Sequence, residues 1–186
     1  MIKMKRFKKM GQTSKTRKLT FLAMMIALDV VLSPVFRVEG MAPMSSVMNV
    51  IAAATMGPVY TMIMAFVTAI IRITIMGIPP LALTGAFFGA ALAGLFFKWA
   101  NQRILFAAFG EILGTGLIGS LLSYPVMMIF TGTSNGLYWF VYTPRFFGAA
   151  IMGSIVAALI WMKLKDLALY KAMKDMFWLV PQNKKY

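Results

Sequence analysis

Five carboxylates and no histidine or cysteine limit the chemistry open to this 186-residue chain. Without imidazole or thiolate there is no ordinary transition-metal site, no Cys nucleophile and no His-based triad. The phosphate-binding GxxxxGK[ST] loop, HExxH and GxSxG are also absent, so no catalytic residue, metal or cofactor is assigned. Two acids stand out because they fall inside long apolar stretches: Asp29 and Glu111. A carboxylate at membrane depth is costly and faces protein or a water-filled cavity. Glu111 therefore reads in two ways, as a packed, hydrogen-bonded residue or as a ligand or gating group. At 1.5 Å per residue the two acids sit at compatible depths of roughly 10–14 Å. That keeps one alternative open, a membrane enzyme acting on a lipid or isoprenoid with Asp29 and Glu111 as acid–base groups.

A second set of residues falls near the opposite ends of the same stretches: Glu39, Asn49, Arg72, Tyr124, Trp139, Tyr142 and Arg145. Aromatic area plus a few hydrogen-bonding groups suits a pocket for a small, flat, polar heterocycle. No ring of like charges suggests a channel. These residues also have ordinary structural explanations. Arg72 can snorkel to the interface, and Tyr138, Trp139, Phe140 and Tyr142 can form an interfacial aromatic belt. Ala23 and Ala27 are four apart and share a helix face that another helix can approach closely.

The elements that must position these residues are membrane helices. The chain is 60% apolar, far from an ordinary soluble composition. Its net charge of +14 invites a nucleic-acid reading, but the distribution opposes it. Of 19 basic residues, eight fall in residues 1–18 and six in 163–185, flanking apolar spans as juxtamembrane charges do. The pattern predicts an all-α membrane protein, a compact bundle of six transmembrane helices. They cover residues 19–36, 46–56, 59–76, 81–97, 104–130 and 137–161, the second one short. Gly57-Pro58 and Gly77-Ile78-Pro79-Pro80 are read as turns, and 104–130 as one continuous helix rich in Gly and Ser. Residues 1–18 form a basic cytoplasmic arm, partly disordered. Residues 19–162 form the membrane domain, and 163–186 a basic amphipathic tail along the cytoplasmic face. The basic arm, Lys98/Arg103 and the tail share one side, so both termini are cytoplasmic.

With these residues in hand, the chain resembles the substrate-binding S components of energy-coupling factor (ECF) vitamin transporters. Length, six helices and Ala23-Met24-Met25-Ile26-Ala27 carry the general likeness. The thiamine-precursor (ThiW-like) branch is the nearest, through LDVVLSPVF (28–36), MNVIAAATMGPVY (48–60), AFVTAIIR (65–72), PLALTGAFFGAALAG (80–94) and, most distinctively, FGEILGTGLIGSLLSYPV (109–126). The resemblance implies a multi-pass subunit of a prokaryotic cell membrane without enzymatic activity. It would capture a vitamin or precursor and dock through Ala23 and Ala27 onto a membrane scaffold protein driven by two cytoplasmic ATPases. The chain departs from the branch at Pro43-Met44-Ser45-Ser46, which lacks a His, and at the Pro-rich turn 77–80. Hydroxyethylthiazole and hydroxymethylpyrimidine are thus the leading substrates, and pyridoxine or pantothenate remain alternatives.

Overall fold

The computed structural model describes residues 2–37, 41–132 and 139–178, with side-chain environments from residue 15 onward apart from residue 169. Among these residues the chain is all helical. The elements are α1 (Ile2–Val35), α2 (Pro43–Met76), α3 (Leu81–Trp99), α4 (Ile104–Glu111), a π-helix (Ile112–Gly119), α5 (Ser120–Thr131), α6 (Thr143–Leu164) and α7 (Ala168–Trp178). Five stretches are long and apolar enough to cross a membrane: Lys15–Val35, Pro43–Met76, Leu81–Trp99, Ile104–Thr131 and Thr143–Leu164.

The count of five differs from the six expected, and α2 explains the difference. Its helical run is broken at Gly57, whose φ of 77° and ψ of 175° belong to a region open essentially only to glycine. Arg72 and Ser45 lie 27 residues apart, which is ~40 Å along a straight helix. Yet the Arg72 Nη1 donates to Ser45 Oγ at 3.5 Å. The chain therefore folds back at Gly57-Pro58, and residues 43–56 and 58–76 run antiparallel, as the sequence's turn signal predicts. The first limb is only ~21 Å long at 1.5 Å per residue.

Three other boundaries move. α1 reaches back to Ile2 through the arm expected to be partly disordered; Lys, Arg and Met are good helix formers, and Gly11, Thr13, Ser14 and Thr16 are the weaker positions there. The last span begins at Thr143 rather than 137, because Pro144 in its first turn fixes where the helix starts. The stretch 104–131 is helical throughout but switches to π geometry over Ile112–Gly119. π segments are rare and recur at functional sites.

Packing between α3 and the 104–131 helix is backbone against backbone. A Cβ at Gly110 would strike the Leu92 carbonyl, one at Gly114 the Phe88 carbonyl, and one at Gly119 the Gly85 Cα at 2.7 Å. The glycine spacing is four, then five. In a pure α-helix the third contact would fall to Ile118. The extra residue of the π turn brings Gly119 to the seam instead.

The two ends of the bundle differ. At one end, α7 lies across the base. Phe177 packs on Phe21 and Tyr60, Trp178 on Phe97, and the Tyr170 hydroxyl donates to the Ala54 carbonyl while accepting from Trp161 Nε1. Burial pushes the Tyr170 phenol above its ordinary range, opposed by the Trp161 bond. Lys18 of α1 stands over Tyr60 and Phe177 here as well. So the start of the first span and α7 share an end.

Gly57→Ala is expected to lower stability by ~1–3 kcal/mol, because alanine does not tolerate that backbone geometry. Thermal unfolding of the detergent-solubilised chain measures it, and an unchanged midpoint would show that the turn relaxes freely.

Candidate functional site

At the end opposite α7 a pocket opens among α2, α3, the 104–131 helix and α6. Its walls are Ser45, Ser46 and Asn49 from the first limb of α2, Arg72 from the second, Leu81, Ala82, Gly85 and Ala86 from α3, and Phe146 and Ala149 from α6. Glu111 and Thr115 form the floor, and Arg37, Met41, Ile78 and Arg145 rim it. The cavity volume is about 60 Å³. That is room for more than one water, on the scale of a small ligand rather than a large one.

The floor is a closed polar cluster with two open acceptors. Glu111 is fully buried at 0% exposure. Its Oε1 accepts from the Thr115 hydroxyl at 2.8 Å and from Asn49 Nδ2 at 3.2 Å. Asn49 Nδ2 also donates to the Ala86 carbonyl at 3.2 Å, so both amide hydrogens are used and the orientation of the amide is fixed. Thr115 is anchored as well to the Gly85 carbonyl, at 3.0 Å. Glu111 Oε2 and Asn49 Oδ1 have no hydrogen-bond partner among the described residues, although the Ser46 hydroxyl lies close enough to act on the Glu111 carboxyl. A buried acceptor without a partner costs about 1–3 kcal/mol, so the cluster is arranged to receive donors from a ligand. Gly89 makes room for it: a Cβ there would lie 2.6 Å from Glu111 Oε2.

Arg72 is the second charged wall. It is 3% exposed, and its Nε has no partner among the described residues. Behind it, toward α1, lies Asp29, also fully buried, which accepts from Ser33 Oγ at 2.5 Å and attracts Arg72 across the helix interface. Asp29 is not part of the pocket lining, so the two acids of the membrane helices do not face one another across a shared space.

The residues singled out from sequence divide accordingly. Asn49 and Arg72 line the pocket. Tyr124 and Trp139 pair with each other, ring centroids 4.6 Å apart, and Trp139 is 55% exposed. Tyr142 is buried against Phe146, which itself lines the pocket. Glu39 lies outside the described residues, as does Tyr138. Ala23 and Ala27 are exposed on the outer face of α1, beside Met24, Leu28 and Val31. Ser45, Ser46, Thr115 and Phe146 were not named as contacts. Ser45 and Ser46 fall in segment 43–46, which departs from the family pattern, and Thr115 lies one turn beyond Glu111 on the same face; Phe146 had no signal.

An all-helical bundle with several membrane-length apolar helices and, at one end, a small, mostly apolar pocket with a few polar groups is the build of a membrane-embedded small-molecule carrier. The chain belongs to the thiamine-precursor transporter protein (ThiW) family, whose match covers residues 19–167. No curated protein and no solved structure matches it.

Glu111→Leu is expected to destabilise the fold by ~1–3 kcal/mol, since Asn49 and Thr115 lose their shared acceptor. Glu111→Gln keeps the shape and one acceptor oxygen, and is expected to stay within ~1 kcal/mol of the parent. Thermal midpoints of both variants decide it; equal losses would mean that the charge itself holds the cluster together.

Proposed function

We infer that this chain is the substrate-capture subunit, the S component, of an ECF-type importer for a thiamine-precursor heterocycle. The observation that carries this is the pocket above Glu111: its size suits a small ligand, its floor offers two acceptors, and it lies at the far end from α7. Hydroxymethylpyrimidine fits through its amino and hydroxyl donors, and hydroxyethylthiazole through its hydroxyl. The Phe146 ring and the apolar side chains of Leu81 and Ala82, which line the pocket, would cover the ring faces. Asn49, Arg72 and Glu111 are proposed as the principal ligand contacts.

In this reading the membrane is crossed six times, counting both limbs of α2, with both termini in the cytoplasm of a prokaryotic cell. The basic residues at 1–18, 98, 103 and 163–185 support that orientation. The pocket then opens to the outside. The exposed face bearing Ala23 and Ala27 is proposed to dock a membrane scaffold protein coupled to two ATPases. Small residues there permit close helix approach, which is the chief source of association between helices in lipid. The subunit itself performs no chemistry on its cargo.

Calorimetric titration of the detergent-purified chain with hydroxyethylthiazole, hydroxymethylpyrimidine, pyridoxine, thiamine and pantothenate tests the capture role. One precursor is expected to saturate, with Asn49→Ala weakening it by about tenfold or more. Failure of every compound to bind would remove the reading. For docking, Ala23→Leu together with Ala27→Leu is expected to abolish co-purification with the scaffold and leave ligand affinity unchanged. Undiminished co-purification would place the contact elsewhere.

A further inference from the structure

The pocket's rim carries a charge pattern that a neutral heterocycle does not use. Of the 19 basic residues, sixteen lie at 1–18, 98, 103 and 163–185; the other three are Arg37, Arg72 and Arg145. All three line this one pocket, although they come from the end of α1, the second limb of α2 and the first turn of α6. Among the acids of the described residues, only Glu111 joins them in the lining. Arginines scattered to solvent would not converge in this way from three separate elements. Arg72 is also buried at 3% exposure, and its Nε has no acceptor among the described residues.

Three helices begin at the same place. α2, α3 and α6 contribute first-turn residues to the lining: Ser45, Leu81 with Ala82, and Arg145 with Phe146. None of the three has a side-chain cap on its N-terminus. The partial positive charge of a helix N-terminus favours anions, although the N–H groups of Ser45, Ala82 and Phe146 are themselves bonded to the Ala42, Pro79 and Tyr142 carbonyls. Guanidinium forks match carboxylate and phosphate geometry.

We propose that the ligand of this pocket carries an anionic group, a phosphate monoester or a carboxylate, held at the rim by Arg37, Arg72 and Arg145 while its ring rests on Asn49 and Glu111. This rests on the capture role and narrows it, from any thiamine-precursor heterocycle to one bearing a negative substituent. The neutral alcohol would occupy the floor and leave the rim unused.

The test compares each precursor alcohol, hydroxyethylthiazole and hydroxymethylpyrimidine, with its phosphate monoester and with the analogue in which a carboxylate replaces the hydroxymethyl end. Titrations use the full-length chain in detergent at low and high salt. An anionic form is expected to bind about ten- to a hundredfold tighter than its alcohol and to weaken as salt rises. Which of the two anionic forms is tighter identifies the group. Arg37→Gln with Arg145→Gln, both exposed in the parent, should reduce that advantage to within about threefold and leave alcohol binding unchanged. Arg72→Gln should weaken the alcohol and weaken the anionic form further, and the exposed pair decides the matter if that variant does not fold. Alcohols that bind as tightly as the anionic forms overturn the proposal and leave the capture role standing. An anionic preference untouched by the arginine variants also overturns it. Silence from all forms removes both readings.

Discussion

A carboxylate inside a helix of membrane length needs its solvation from protein, and much of this bundle follows from how Glu111 obtains it. Thr115 and Asn49 donate to one oxygen, and Gly89 clears the space beside the other. Each of those residues sits on a different part of the chain. Bringing them together requires α3 to touch the 104–131 helix backbone to backbone, and the first limb of α2 to lie across both. The glycines at 110, 114 and 119 permit the first contact. The break at Gly57 permits the second, by returning the chain so that Asn49 and Arg72 face the same space.

The π-helix links packing to chemistry. Had the 104–131 helix remained α throughout, the glycine seam would drift off α3 after Gly114, and a bulky Ile118 would meet Gly85. One extra residue in the turn restores close contact at Gly119. The same turn holds Thr115 against both the Gly85 carbonyl and Glu111. Apolar packing and the polar floor of the pocket therefore depend on one local deviation from regular geometry.

The bundle is polarised along its long axis. One end is closed by α7 and its aromatic contacts with Phe21, Tyr60 and Phe97. The other end is open, with helix N-termini and arginines around a small cavity. Between the two ends, α1 leaves Ala23 and Ala27 exposed beside Met24, Leu28 and Val31.

The sequence by itself determined the helical membrane class, the turn at Gly57-Pro58, most span limits and the weight carried by Glu111. These depend on local composition: apolar length, glycine and proline chemistry, and the cost of a charge in lipid. The family blocks at 48–60, 80–94 and 109–126 carry the same residues that later meet at the pocket floor, so Asn49 and Glu111 were both in view. Sequence did not pair them, and it grouped Tyr124 and Trp139 with Asn49 because all lie near helix ends. Depth along a helix is legible from spacing, but the direction a side chain faces within a bundle is set by rotation and packing. Only the tertiary structure decided that Tyr124 and Trp139 turn to each other, that Asp29 stands behind Arg72 rather than across from Glu111, and that three arginines from distant segments share one rim. Those outcomes depend on contacts between residues tens of positions apart, and no local pattern encodes them.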